Sequence, residues 1–265
     1  MNPYVAAQAA ALLEGLRLLE VYVTAPLGLY SDIRMMRESL PFPESEELTR
    51  EEISQRRQAH AALTDDYPAL ALRAVLAVRA TVDALADCRD DGAAVLNESW
   101  LRRSRIVLTR AEQRMGASVR TEMVAKLKGV YVIVDPEATR GRDPVTVARD
   151  TLEGGARVVQ LRNKQNDKKQ VLDQARRLTV MCREHGALFF VNDDADVALA
   201  ADAHGLHVGQ TDLPTEEARR VLAPDQLVGR SNGSLDEALE SQTQPQLELL
   251  GNPVGLVQRI FDFDD

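Results

Sequence analysis

The spacing of apolar residues changes at Gly129, and this change limits the possible folds more than any other feature of the chain. Up to about residue 125 the apolar positions recur every three or four residues, the pattern of amphipathic helices; Leu12, Leu16, Leu19 and Val23 form one such stripe. Pro41-Phe42-Pro43 interrupts it, and Thr49 with Glu52 offers a capping box for a helix over about 49–63. Asp66 and Pro68 start another, which should bury Leu72, Val75, Leu76, Val82 and Leu85 and end in the polar run Asp87 to Gly92. A last helix runs from about Ser99 to Met123. From Gly129 on, short β-branched runs alternate with helical stretches. The runs are 130–134, 158–161, 188–191, 206–208 and 227–229; the helices lie near 143–153, 168–185, 194–202, 214–222 and 234–241. Strands apolar on both faces and separated by helices imply a parallel sheet of βαβ units, closed into a barrel or open and doubly wound. The expected organisation is an all-α helical domain over 1–125 followed by an α/β domain over 126–265.

In either architecture ligands gather where the strands end. The five strand ends carry Asp135; Gln160 to Lys164; Asn192-Asp193; Gly209 to Asp212; and Gly229-Arg230-Ser231-Asn232-Gly233. Asp193 and Asp212 supply hard oxygen ligands suited to Mg²⁺, Arg162 and Lys164 neutralise phosphate oxygens, and the Gly/Ser loop can donate backbone N–H groups. Singly, each has a plainer explanation. Asn192-Asp193 makes a helix cap with an Asx turn, Asp212 with Pro214 makes a helix start, and Gly154-Gly155 ends a helix. Five polar ends converging on one rim favour a site.

Other chemistries lack support. Cys182 with His185, or His204 with His207, lack further zinc ligands at suitable spacing, and no GxGxxG or P-loop sequence occurs. Arg102-Arg103-Ser104-Arg105 is expected to be a solvated helix face, and a net charge of -9 removes the usual driving force for nucleic-acid binding. Two cysteines fit a reducing compartment, and Glu14, Arg17 and Glu20 interrupt the apolar N-terminal stretch, so neither a signal peptide nor a membrane span is expected there. The expected location is the cytoplasm.

The second half resembles thiamine phosphate synthase. Gly129 to Asp135 is similar to that family's first strand, and Gly154-Gly-Ala-Arg-Val-Val-Gln-Leu-Arg-Asn-Lys164 to its GG…VQLREK segment. Val191-Asn-Asp193 with Val197-Ala-Leu-Ala200 resembles VNDR…ALA, Gly205 to Pro214 resembles the G-H-G-Q-D-LP stretch, and Gly229-Arg-Ser231 resembles G-x-S. The resemblance implies a (β/α)8 barrel that joins a hydroxymethylpyrimidine diphosphate to a thiazole phosphate, forming thiamine phosphate and pyrophosphate. It implies that Gln160, Arg162, Lys164, Asn192 and Ser231 contact the pyrimidine diphosphate. Lys164 and Ser231 would also act in catalysis at the leaving pyrophosphate, and Asp193 and Asp212 would hold Mg²⁺. The expected partners are these small-molecule substrates, with neither nucleic acid nor membrane; the oligomeric state stays open.

Three departures stand out. Asp194 takes the place of the family's Arg, Asn232-Gly233 follows Ser231 where a small residue and His are usual, and the likeness fades near Glu240. An eight-stranded barrel takes about 250 residues, whereas 137 remain from Gly129 on. The expectation is an incomplete barrel of about five βα units, ending near residue 241, with Leu247 to Leu250 as one further strand and the thiazole phosphate site lacking. On that expectation a non-catalytic remnant that keeps only pyrophosphate or pyrimidine binding, or a helical association role, is the alternative. In the first half, Glu14 to Glu20 and Arg110 to Arg114 resemble the EGLRVLE and R-A-x-E-x-L-R segments of a helical domain fused to some bacterial relatives; ordinary i,i+3 ion pairing explains the same spacing.

Overall fold

A computed structural model describes residues 2–22, 28–42, 67–90, 92–164 and 167–242. The chain divides into two compact units, Met1–Val119 and Arg120–Asp265. The expected helix over 49–63, Val23 of the first stripe, and the strand at Leu247 to Leu250 lie outside the described residues.

The first unit contains α1 (Pro3–Tyr22), α2 (Tyr30–Glu38), α3 (Tyr67–Ala86) and most of α4 (Glu98–Ala125). Leu12, Leu16 and Leu19 are fully buried, as the helical stripe requires, and α1 packs against α2 and α3. Gly15 allows the α1–α3 approach, since a Cβ there would lie 2.6 Å from Val78 Cγ2. Of the expected α3 core, Leu72, Val75, Val82 and Leu85 are buried, but Leu76 is exposed. One residue on from Val75, it is turned about 100° around the helix and falls off the apolar stripe. A two-strand hairpin, β1 (Arg89–Asp90) with β2 (Ala93–Ala94), lies where only a helix-ending run was expected. Asn97 caps α4 through Oδ1, which accepts the Trp100 N–H at 2.8 Å, and Trp100 Nε1 donates to the Met36 carbonyl.

The second unit is built from β3 (Tyr131–Val134), α5 (Pro144–Glu153), β4 (Val158–Leu161), α6 (Lys168–Glu184), β5 (Leu188–Asn192), α7 (Ala195–Ala200), β6 (Gly205–Val208), α8 (Thr215–Val221), β7 (Leu227–Arg230) and α9 (Leu235–Gln242). All five strands are parallel and their order in the sheet equals their order in the chain. One face, including Val159, Phe189, Val191, Leu206 and Val228, packs against α5 to α8 in a single core. Connecting helices all on one face and an unreversed strand order are the winding of a barrel rather than of a doubly wound sheet. The described strands thus form an arc of an α/β barrel preceded by helices. On its concave face Val158, Leu188, Phe190 and Leu227 form a second cluster, covered by Met123, Val124, Leu127 and Tyr131. No helix among the described residues is long and apolar enough to cross a membrane.

His204 ties the loop before β6 to the sheet: its Nδ1 accepts the Phe189 N–H at 3.0 Å. Burial, aided by the Arg183 and Lys126 charges and opposed by Asp202, pushes its pKa from 6.5 down to about 4. The unfolded chain therefore takes up a proton between those values that the fold refuses, and the unit loses stability as pH falls from 6.5 toward 4, by roughly 2–3 kcal/mol. His204→Asn, whose Oδ1 can accept the same N–H without titrating, is expected to flatten this part of the melting-temperature profile; an unchanged slope would contradict the assignment. With Nδ1 occupied, His204 is no zinc ligand through that atom, and among the described residues no group of three His, Cys, Asp or Glu could hold a metal.

Candidate functional site

Strand polarity places the carboxyl ends of β3 to β7 on one rim, and the residues expected there come together. On β4, Gln160 points to the concave face and is 2 % exposed. Its Oε1 accepts the Tyr131 hydroxyl at 2.8 Å and its Nε2 donates to Asn192 Oδ1 at 2.6 Å. A buried strand amide needs such partners, and Tyr131, held protonated by burial, can only donate to it. The relay uses the acceptor half of the Asn192 amide, so Asn192 is left with donors to offer a ligand. Asn192 is therefore no helix cap; α7 starts after Asp194, which makes no side-chain capping bond.

Arg162 Nη1 pairs with Asp135 Oδ2 at the end of β3, while Asp135 Oδ1 accepts the Glu137 N–H at 2.9 Å. Lys164 Nζ lies 3.1 Å from Asp193 Oδ2. Lys168 at the start of α6 reaches Asp194 at 3.1 Å and Asp196 at 2.9 Å. Asp194, the departure from the Arg of the resembled family, is thus paired with a lysine from the neighbouring helix, which it shares with Asp196.

Asp193 sits in the left-handed region, φ 62°, with its N–H bonded to the His207 carbonyl at 2.8 Å. This strained conformation, which Asp tolerates better than most residues, turns its side chain toward β6. There Asp212 accepts the Gly209 N–H at 2.7 Å instead of capping α8, whose N-cap is Pro214. The two carboxyls share a hydrogen bond. Burial and then Asp212 raise the Asp193 pKa, with Lys164 opposing; Asp212 is held low because the Asp193 and Gly209 hydrogen bonds and the Lys164 charge outweigh its burial. Two carboxyls set against each other in this way mark a place suited to a cation. Their hard oxygens match the one or two carboxylates that Mg²⁺ takes from a protein when phosphates and water complete its shell. Asp193 borders a cavity of about 240 Å³ with Lys164 and Asn192, and Asp212 borders one of about 340 Å³ with Arg230.

Residues 130–249 match the family model described as thiamine monophosphate synthase. The thiamine-phosphate synthase of Shouchella clausii is 48% identical over 113 residues, 43% of this chain and 54% of the relative. That of Anaeromyxobacter dehalogenans is 48% identical over 122 residues, covering 46% and 52% respectively. A solved structure, the thiamine phosphate pyrophosphorylase from Pyrococcus furiosus, is 42% identical, with a TM-score of 0.42, over 45% of this chain and 57% of that one. The chain spans about half the length of the curated relatives it matches.

Ser231 follows β7, its N–H bonded to the Val208 carbonyl at 2.9 Å and its Oγ 2.9 Å from His207 Nε2. Part of the donor capacity expected of the following loop is used within the fold. The Gly233 N–H already donates to Glu237 Oε2 at 2.6 Å, which also accepts from Gln210. Ser234 caps α9, its Oγ accepting the Glu237 N–H at 3.2 Å, a cap that the S-x-x-E spacing before α9 announces and that the sequence reading overlooked. His207 and Tyr131 were also missed. Both lie on the concave side of their strands, so the period-2 alternation with Gly205 and Ile133 was the signal that could have found them.

Proposed function

We propose that the rim binds the diphosphate of a hydroxymethylpyrimidine diphosphate together with Mg²⁺, and that the protein is a transferase of thiamine biosynthesis. In the proposed reaction the bond between the hydroxymethyl carbon and the diphosphate oxygen breaks, the ring nitrogen of the thiazole phosphate attacks that carbon, and pyrophosphate leaves. The observation that carries this reading is the convergence of Arg162, Lys164, Asn192, Asp193, Asp212 and Ser231 at the strand ends.

Asp193 and Asp212 would hold Mg²⁺, which would supply charge neutralisation for the departing diphosphate. Lys164 and Arg162 contribute charge-assisted contacts, worth more against a leaving group that gains charge than against the bound substrate. Ser231 acts as a hydroxyl donor if the neutral His207 donates Nε2–H to its Oγ; burial keeps His207 uncharged. Asn192 donates its amide N–H, and Gln160, bonded to Tyr131 and Asn192, positions Asn192 and keeps a second amide N–H for the pyrimidine diphosphate. No protein nucleophile is required. We read residues 1–125 as a separate helical domain and place the protein in the cytoplasm. Incubation of the chain with both substrates and Mg²⁺ should yield thiamine phosphate and pyrophosphate in equal amounts at a low rate, since about half of the relatives' length is present, and Lys164→Ala should abolish it; pyrophosphate release without thiamine phosphate would contradict the transferase reading.

A further inference from the structure

Three cations stand on the rim beside β4 and β5, and each is already paired: Arg162 with Asp135, Lys168 with Asp194 and Asp196, and Lys164 with Asp193. Of these pairs, the last alone involves a carboxylate of the metal-binding set proposed above. Its two partners are also unlike in constraint. Asp193 is fixed by its left-handed backbone and by the bond of its N–H to His207, and Asp212 by the Gly209 N–H. The Lys164 side chain is 56% exposed, a four-carbon stem that can reach either the carboxylate or an incoming anion.

We propose that Lys164 is a stand-in cation in the ligand-free protein, which Mg²⁺ displaces from Asp193 toward the diphosphate, so that metal and diphosphate bind cooperatively. Mg²⁺ and the ammonium compete for the same oxygens. A diphosphate arriving alone must draw Lys164 away and leave Asp193 beside Asp212 uncompensated. Mg²⁺ arriving alone must expel Lys164 without giving it another partner. When both arrive, each ligand satisfies what the other exposes, and the coupling is reciprocal by linkage. This inference rests on the proposed Mg²⁺ site at Asp193 and Asp212. It adds that Lys164 opposes the metal until the anion is present.

The test is calorimetric titration of Mg²⁺ into the full chain, with and without inorganic pyrophosphate, for the wild type, Lys164→Met and Lys168→Met, with melting temperatures as a check on folding and Lys164→Gln as a second variant. Without pyrophosphate, Lys164→Met should bind Mg²⁺ about two- to fivefold more tightly than the wild type, the range that a partly exposed ion pair spans. Lys168→Met, which removes an equal charge nearby, should stay within about twofold of the wild type. The pyrophosphate-induced gain in Mg²⁺ affinity should shrink at least about fivefold in Lys164→Met. Unchanged or weaker Mg²⁺ binding in both Lys164 variants overturns the stand-in role, as does an equal gain in Lys168→Met, which would indicate a general field effect. Absence of Mg²⁺ uptake by every protein contradicts the metal site itself, and the inference with it.

Discussion

Gly205→Val is expected to unfold the second unit or to destabilise it by about 3 kcal/mol or more. The residue faces the concave side of β6, opposite Phe190 on β5 and Leu227 on β7. A Cβ at this position would come within 2.5 Å of Phe190 Cε1 and 2.8 Å of the Leu227 carbonyl oxygen. Phe190 is fully buried and cannot swing away, and the second contact is backbone, so the clash can be relieved only by parting strands. Gly233→Ala is the matched control, since its Cβ would meet nothing closer than 3.5 Å. Hydrogen exchange at the β5 amides should rise sharply in Gly205→Val and stay at the wild-type level in Gly233→Ala; equal protection in both would show that the layer of Phe190 and Gly205 is not close-packed.

Asp193→Asn should separate binding from stability. The substitution keeps the size and the tolerance of φ 62° but removes one of the two carboxylates. Affinity for Mg²⁺-pyrophosphate should fall about 30-fold or more, corresponding to roughly 2 kcal/mol for the loss of a charged ligand. The melting temperature should not fall with it. Burial and Asp212 raise the Asp193 pKa, so the ionised group costs stability once pH rises through that value, and the amide removes the cost. The variant is therefore expected to melt at or above the wild type at pH 8 while failing to bind. A lower melting temperature together with intact binding would make Asp193 a structural residue.

The strand ends were legible because a strand buried on both faces must be apolar until it leaves the sheet. Leu188 to Val191 therefore marks its own limits, as do Val158, Val159 and Leu161 around the hydrogen-bonded Gln160, and the polar residues after them fall on one rim. Pairing at the rim was less accessible. Nothing local to Arg162 or Asp135 shows that they meet across β3 and β4, because that contact depends on strand register. The same holds for the Tyr131–Gln160–Asn192 relay, which crosses three strands. In the Gly/Ser loop the Gly233 N–H is taken up by Glu237, a partner from the following helix that the loop's own composition does not reveal. In the first unit α2 escaped notice because a nine-residue helix with only Ile33 and Met36 buried carries too short a stripe to register as periodic.

Among the described residues the rim beside β4 and β5 is short of unpaired positive charge, and the account turns on this. Arg162, Lys164 and Lys168 all face carboxylates, with Asp212 as a further negative group beside Asp193, so a diphosphate can settle there only if a divalent cation comes with it. The direct measurement is a calorimetric titration of inorganic pyrophosphate into the wild-type chain, with Mg²⁺ and with EDTA. Binding should be saturable at one site per chain in Mg²⁺ and fall at least about tenfold in EDTA. Equal binding in the two conditions, or none in either, would contradict a rim built for a metal-bound diphosphate.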